Sequence, residues 1–265
     1  MATRSRKPMV EKKTPIVSSV KRALSIIEML AHSKRGMSIS DVSRRLRIPK
    51  STTHCIVVTL EKTGYLEKNE RTGKYSLGLK LFGLGSLVLS QLELREQALP
   101  YLRQLMEQTK LTTHLAILEQ GEAVYVEKVE APGLVKIDTW VGRRMDINCT
   151  GVGKALIAYL PEEQLHELIK HRGLPRHNHK TITSPDKLIQ DLQKVRARGY
   201  SLDDEEDELG VRCIGAPVFN HQGEVIAAIS IAGTTSQITY DNIPELGRLV
   251  KETARKISAC LGFVS

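Results

Sequence analysis

The residue types that carry covalent or metal chemistry are few and scattered along this 265-residue chain. No CxxC pair occurs, which excludes a disulfide scaffold and a zinc ribbon. Three histidines lie in a polar stretch with no cysteine or carboxylate at ligand spacing beside them. We therefore interpret them as surface-loop residues rather than zinc ligands. No local Cys–His pattern indicates a thiol nucleophile with its base. The residues concerned are Cys55, Cys149, Cys213 and Cys260, with His171, His177 and His179.

Two short segments have the composition of ion-binding sites. Residues 203–208 are six consecutive acids. Ligands of one cation usually alternate with other residues on a convergent loop, so the run favours a solvated surface over a metal site. Gly151-Val152-Gly153 precedes a predicted helix, where free N–H groups could hold a carboxylate. Close packing of a helix on a strand selects glycine equally well, and no GxxxxGK[ST] motif is present.

The basic charge is concentrated at the beginning of the chain. Residues 1–80 hold 18 Lys and Arg against 6 Asp and Glu, a net charge of +12, whereas residues 81–265 carry a net charge of −3. A compact basic segment is typical of nucleic-acid binding, because Lys and Arg displace counterions from phosphates. The alternative is a solvated basic tail on an ordinary domain.

The composition, with 41% hydrophobic and 26% charged residues, is that of a globular protein, and the length favours two domains over one large domain. No segment approaches the ~20 apolar residues of a membrane span. The basic N-terminus lacks the apolar core of a secretory signal. We therefore expect a cytoplasmic protein with no membrane partner and no cofactor.

The first 78 residues predict a flexible basic arm and a winged helix-turn-helix. Three helices are followed by a hairpin with a basic tip. The first helix is predicted from the three- and four-residue spacing of Val20, Ala23, Leu24, Ile27 and Leu30. The predicted segments are an arm at 1–16 and a DNA-binding domain at 17–78, with its third helix beginning at Pro49 and its strands at Tyr65–Glu67 and Lys74–Leu77.

The third helix has a polar start that suits contact with DNA. Ser51 and Thr52 follow Pro49 at an N-terminus, where backbone N–H groups favour phosphate; helix capping is the alternative role for both. Thr53 is predicted to pack inward. Two basic wing residues are predicted to contact phosphates. The predicted DNA-binding residues are Lys50, Ser51, Thr52, His54, Cys55, Thr59, Arg71 and Lys74.

The remainder predicts a linker helix and a second domain of the α+β class. Residues 79–92 have apolar residues at helical spacing, which suits packing on a partner chain or on the second domain. In residues 93–265, helices surround hairpin-connected strands, which predicts an antiparallel sheet flanked by helices. The predicted strands are Thr113–Leu118, Ala123–Val129, Val135–Trp140, Cys213–Phe219 and Val225–Ala232.

After its basic arm, the chain resembles the IclR family of bacterial transcription regulators along nearly its whole length. The resemblance is strongest at a long motif of fixed spacing. It runs from Gly199-Tyr200-Ser201-Leu202-Asp203 through Glu206 to Gly210-Val211-Arg212-Cys213 and on to Asn220. Ala228-Ile229-Ser230-Ile231, Gly151-Val152-Gly153-Lys154-Ala155 and Lys74-Tyr75-Ser76-Leu77-Gly78 are also similar to the family.

The resemblance implies a winged helix that binds double-stranded operator DNA and a GAF-like domain that binds a small effector. It also implies homodimers that pair into homotetramers. Two positions depart from the family: Cys55 stands where an Arg is common, and Ala232 replaces a small hydroxyl residue. The effector-binding residues that it implies are Gly151, Val152, Gly153, Asp203, Cys213 and Ser230. For Cys213 the alternative is core packing, and for Ser230 a hydrogen bond to the sheet.

The resemblance therefore implies a ligand-responsive regulator that is not an enzyme. Repression is the commoner behaviour in the family, and organic, sugar and aromatic acids are its common effectors, so we expect a repressor that binds an acid of one of these classes. The alternatives are a small-molecule hydrolase or thiol enzyme with an appended basic module, and a DNA-architectural protein. An enzyme of this kind needs a nucleophile, a base and a group that orients the base, and the sequence pattern does not indicate such a set. An architectural protein needs no large second domain.

Overall fold

The computed structural model describes residues 17–33, 35–90, 93–133 and 136–263. These residues divide between two compact units, with the boundary after Val88. The predicted arm at 1–16 lies outside the described residues. None of the helices within the described ranges is long and apolar enough to cross a membrane.

The first unit consists of α1 (Ser18–Ala31), α2 (Ile39–Leu46), α3 (Lys50–Lys62), β1 (Leu66–Asn69), β2 (Lys74–Leu77) and the start of α4 (Leu79–Ser90). Strands β1 and β2 pair antiparallel with Leu66 opposite Leu77, and Met37 forms a bridge with Tyr75. This is the predicted winged helix-turn-helix. Its core consists of Ile26, Leu30, Met37, Val42, Val57, Leu60, Leu66 and Tyr75.

Local interactions fix the turn between α2 and α3. Ser38 caps α2 by accepting a hydrogen bond from the Asp41 backbone N–H at 3.2 Å, and the Asp41 carboxylate accepts from the Ser38 N–H in return. Such a capping box satisfies two N–H groups that the helix leaves unpaired. At the other end, Arg47 ends α2 in the left-handed conformation with φ 52°. The chain therefore turns sharply and enters α3 at Pro49.

The spaced apolar residues that predict α1 do not all face the core of the first unit. Val20 is 56% exposed and Leu24 is 54% exposed, whereas Ile26 is fully buried. Helix α1 carries apolar residues on two faces, and spacing alone does not tell which face meets the core. The second apolar face of α1 is therefore exposed in the monomer.

The second unit contains α5 (Glu93–Thr109), β3 (Thr112–Glu119), β4 (Glu122–Val129), β5 (Arg144–Met145), α6 (Gly151–Ile157), α7 (Glu162–Arg172), α8 (Pro185–Arg198), β6 (Ser201–Asp204), β7 (Val211–Phe219), β8 (Val225–Thr234) and α9 (Ile243–Cys260). The strands form one antiparallel sheet in the order β5-β4-β3-β8-β7-β6. This confirms the predicted α+β class.

The strand predicted at Val135–Trp140 is wrong: residues 136–140 form no strand, and Val135 lies outside the described residues. Their place beside β4 is taken by Gly142 and Arg143, which exchange backbone hydrogen bonds with Tyr125. Lys128 instead holds the 137–139 segment, because its Nζ donates to the carbonyls of Ile137 and Thr139 at 3.1 and 2.8 Å.

The two faces of the sheet differ in character. One face carries large aliphatic side chains such as Leu115, Ile214 and Ile229, which pack against α5 and α9. The opposite face carries smaller residues such as Ala116 and Ala228 and packs against α6. Side chains alternate between the faces of a strand, so the polar residues of the second face point towards α6.

Candidate DNA-binding and effector-binding sites

The predicted contact face of α3 is accessible. Ser51, His54 and Cys55 are exposed, and Thr52 is half-buried. Thr53 is fully buried, and its Oγ1 donates to the carbonyl of Pro49 at 3.1 Å, which confirms its predicted inward packing. The helical register that places Cys55 outward is therefore correct. Lys50 and Thr59 are also exposed.

The first turn of α3 has no side-chain cap. Its N-cap is Pro49, which offers no side-chain oxygen to the helix. The first backbone N–H groups of a helix have no partner within it, so they remain available to a phosphate oxygen. Thr59 is less free than predicted, because its hydroxyl donates to the carbonyl of Cys55 at 2.7 Å. Its oxygen can still accept a hydrogen bond.

The wing is a short, stiff turn with a cation at its tip. The Asn69 side chain accepts from the backbone N–H groups of Arg71 and Thr72 at 3.1 and 3.0 Å. Gly73 completes the turn at φ 64°, a conformation that favours glycine. The Arg71 side chain is exposed, and Lys74 is half-buried at the base of β2. Both lie in the basic unit, as the sequence predicted.

Polar side chains line the α6 face of the sheet along two neighbouring rows. Asp203 on β6 lies opposite Cys213 on β7, which lies opposite Ala232 on β8. One row on, Ser230 lies opposite His114 on β3. Asp203, Cys213 and Ser230, which are far apart in sequence, therefore share one face of the sheet.

Asp203 is buried and holds its proton near neutral pH. Burial and the neighbouring Glu206 carboxylate raise the pKa of Asp203 to about 8. One oxygen, Oδ1, accepts from the backbone N–H of Glu206 at 2.8 Å. The carboxyl group can therefore donate a hydrogen bond to a ligand as well as accept one.

His114 is a polar residue of this face that the sequence interpretation missed. Its Nε2 lies 2.8 Å from Thr139 Oγ1 and its Nδ1 lies 3.5 Å from Ser230 Oγ. Its ring stacks on Tyr125 with centroids 4.4 Å apart. Burial, followed by the nearby Lys128 and Arg143, lowers the pKa of His114 to about 3. The ring is therefore neutral and serves as one donor and one acceptor.

Packing accounts for the glycines at the start of α6. A Cβ at Gly151 would lie 3.2 Å from Cys213 Cβ, and one at Gly153 would lie 2.5 Å from Thr150 Oγ1. The Gly153 N–H already donates to Thr150 Oγ1 at 3.1 Å, and Val152 belongs to the core. Gly151 lies beside Cys213 because α6 packs closely on β7. The Gly153 N–H does not need a ligand as acceptor.

The acidic run is not the solvated surface that the sequence predicted. Asp203 and Glu206 are buried, and of the six residues only Glu208 is exposed. Glu206 Oε1 lies 2.6 Å from Nζ of Lys154, which is itself fully buried. Basic side chains from other segments form ion pairs with these acids and allow them to be buried. The sequence of the acidic run alone does not identify these ion-pair partners.

A second polar cluster lies close to this face. Cys149 Sγ and His177 Nδ1 each lie 3.8 Å from Asp207 Oδ1. His177 is exposed, as predicted for a surface loop. No cysteine or carboxylate lies near it in sequence, but the fold places Cys149 and Asp207 beside it. Burial and Asp207 raise the pKa of the Cys149 thiol. Burial and Asp203 likewise raise the pKa of the Cys213 thiol.

A cavity of about 120 Å³ lies at the end of the row that contains Asp203 and Cys213, although neither of these residues nor Ser230 lines it. Thr112 and Ala232, which lie opposite each other on β3 and β8, form part of its wall. It has room for several water molecules or a small organic ion. The other lining residues are Leu111, Ala131, Pro132, Gly133, Ile137 and Gln237.

Comparison with known proteins finds the same family over both units. Residues 19–70 match the family model described as the IclR helix-turn-helix domain. Residues 86–259 match the model of the bacterial transcriptional regulator IclR C-terminal domain.

Three similar proteins span nearly the whole chain. The HTH-type transcriptional regulator XynR of Escherichia coli K12 is 36% identical over 249 residues, which cover 94% of this chain and 99% of XynR. The transcriptional repressor IclR of the same strain is 35% identical over 265 residues, covering 98% and 97%. A solved IclR homologue of Microbacterium hydrocarbonoxydans, complexed with 4-hydroxybenzoate, is 27% identical with a TM-score of 0.79, covering 92% and 99%.

Proposed function

The chain belongs to the IclR family of bacterial transcription regulators, and we propose that it represses genes by binding operator DNA until a small organic acid alters that binding. As a member, it is a ligand-responsive DNA-binding regulator. Its similarity to the repressor IclR of E. coli supports the sign of regulation. What remains to be assigned is which residues perform each task.

The DNA contacts are assigned to α3 and the wing. Ser51, Thr52, His54 and Cys55 face the major groove, with Lys50 and Thr59 at the two ends of this face. Arg71 and Lys74 contact phosphates beside it. The single observation that carries this assignment is the accessible polar start of α3 within a segment of net charge +12. Cys55 offers no charge to DNA, so base recognition rests on the neighbouring polar side chains.

The effector contacts are assigned to the α6 face of the sheet. Asp203, Cys213 and Ser230 line the ligand, Gly151 and Val152 form the backbone wall beside Cys213, and His114 adds a neutral hydrogen-bonding ring. A carboxyl group with a pKa of about 8 shares its proton readily with the carboxylate of an organic acid. The 4-hydroxybenzoate in the solved homologue supports an acid of this class.

The assembly is assigned to a homodimer, which pairs further into a homotetramer. Two copies of a helix-turn-helix read two half-sites of one operator. Apolar side chains exposed on the first unit support a surface for a second copy, since monomers rarely expose such patches. They are Val17 at the N-cap of α1, Val20 and Leu24 on α1, and Leu79, Phe82 and Leu84 on α4.

The enzyme alternative is disfavoured by the thiols themselves. A nucleophilic cysteine needs a depressed pKa, whereas burial raises the pKa of both Cys149 and Cys213. The family relatives are transcriptional regulators. We therefore assign no catalytic role and no cofactor to the chain. A protein that binds operator DNA in a bacterium acts in the cytoplasm, and we assign that location.

The experiment is a binding titration of the full chain with DNA that flanks its own gene. A protected site that survives excess competitor DNA is expected, and Thr52→Ala should weaken it by about 1–3 kcal/mol. Thr63→Ala, at the C-cap of the same helix and outside the predicted contact residues, is the matched control. Equal affinity for the flanking DNA and for competitor would contradict the proposal.

A further inference from the structure

Three side chains with metal-binding atoms meet in the second unit. Cys149 precedes α6, His177 lies between α7 and α8, and Asp207 lies between β6 and β7. One ligand atom from each, Sγ, a ring nitrogen and a carboxylate oxygen, all lie within 4.8 Å of one another. The three segments are separated in sequence by 28 or more residues, so the fold alone brings these atoms together.

The two separations from Asp207 suit a single ion, and the third, between Cys149 Sγ and the His177 ring, is within 4.8 Å. Zinc bonds of 2.0–2.3 Å at tetrahedral angles place ligand atoms about 3.3–3.5 Å apart. Both Cys149 Sγ and His177 Nδ1 lie 3.8 Å from Asp207 Oδ1. The His177–Asp207 separation is too long for a direct hydrogen bond. If the two atoms move closer by a few tenths of an ångström, their separation equals that of two ligand atoms on one tetrahedral zinc ion.

His177 is already oriented for coordination. Its Nε2 lies 2.9 Å from Asp146 Oδ2, a distance at which an N–H on Nε2 donates to that carboxylate, and its Nδ1 lies on the side of Asp207, where it can ligate an ion. A carboxylate on the second ring nitrogen is the usual support of a metal-binding histidine. Asp146 is therefore a positioning residue and not a ligand.

The loop that carries His177 is fixed to the segment that carries Asp207. The Asn178 side chain donates to the carbonyls of Glu205 and Glu206 at 3.0 and 3.2 Å. Thr181 Oγ1 donates to the carbonyl of Glu206 at 2.7 Å. Ligands held in this way lose little conformational freedom on binding an ion.

We propose that Cys149, His177 and Asp207 bind one zinc ion, with the fourth position open to water or another small ligand. A thiolate and an imidazole select zinc over magnesium or calcium, which prefer oxygen ligands. On binding, the S–H proton of Cys149 leaves to solvent as the sulfur–zinc bond forms. Cys149 is fully buried and His177 is exposed, so the ion enters from the His177 side. The site stands independently of the proposed function.

The test is metal binding by the full chain after treatment with a chelator. Zinc alone should bind once per chain and raise the melting temperature, because the ion joins three segments of the folded state. Cobalt(II) should give a thiolate-to-metal charge-transfer absorption, which reports the Cys149 sulfur. His177→Ala and Cys149→Ser should each weaken zinc binding by more than about tenfold, and Cys149→Ser should also abolish the charge-transfer absorption.

The controls are His179→Ala and Cys260→Ser, which change an exposed histidine and an exposed cysteine outside the cluster. Both should bind zinc like the parent. Parent-like zinc affinity in His177→Ala, whose exposed position makes misfolding irrelevant, would overturn the proposal. A cobalt complex without thiolate absorption would overturn it too. Operator binding is measured separately and without metal. Either of these two outcomes would therefore refute the zinc site without bearing on the proposed DNA binding.

Discussion

Among the residues that the structure describes, Lys154 is the largest fully buried side chain, and its removal gives a strong stability prediction. Its Nζ lies 2.6 Å from Glu206 Oε1 and 3.0 Å from Asp191 Oδ2, and it donates to the carbonyl of Leu202. Lys154→Met retains the apolar stem but leaves Glu206 buried without its cation. Removing one partner of a buried ion pair costs about 3–5 kcal/mol, because the remaining charge stays out of water.

For a unit of this size, that loss lowers the melting temperature by about 6–20 °C, measured by thermal unfolding of the full chain. Lys154→Met combined with Glu206→Gln should recover more than half of the loss, since the glutamine is neutral. Arg248→Met is the control, because its pair with Glu252 at 2.8 Å is exposed and its loss should cost less than about 0.5 kcal/mol. A single variant that melts with the parent, or a double variant no more stable than the single, would refute the reasoning.

Two further predictions concern charge. Arg71→Ala should weaken binding to all DNA sequences about equally and reduce the salt slope by about one unit, measured by titrations at several salt concentrations; a loss confined to one base pair would contradict a phosphate contact. The pKa of Asp203, about 8 in the folded state against ~3.9 unfolded, makes the native state bind more protons between these pH values. Its contribution to the free energy of unfolding therefore falls as the pH rises from about 4 to about 8, and Asp203→Asn should show a shallower fall in urea unfolding. Parallel pH profiles would show that Asp203 is not buried in its acid form.

Periodicity and turn residues predicted most elements of the fold, because their local signals agree with the tertiary structure. The Thr53 face of α3 and the long apolar strands β7 and β8 are of this kind. The strand predicted near Trp140 failed because the Lys128 side chain, not a strand ladder, holds that segment. Strand β6 was missed because its acidic sequence is unusual for a buried edge.

The candidate sites were predicted in part, and the missing parts depend on distant partners. The family motif indicated Asp203, Cys213 and Ser230, and the sheet register places them on one face. His114 follows Thr112 and Thr113 at the polar beginning of β3, and such a beginning does not show which of the three side chains faces a ligand. The meeting of His177 with Cys149 has no local signal, because the fold alone brings the two segments together.

The central claim is that an organic acid in the second unit controls DNA binding by the first. The most direct measurement is the dissociation constant of the full chain for its operator fragment across a panel of organic, sugar and aromatic acids that includes 4-hydroxybenzoate. Coupling between two sites typically changes affinity about 5–150-fold. One acid of the panel is expected to cause a change in this range, and Ser230→Val is expected to reduce the change while leaving operator affinity without ligand intact. An operator affinity that no acid in the panel alters would contradict the account.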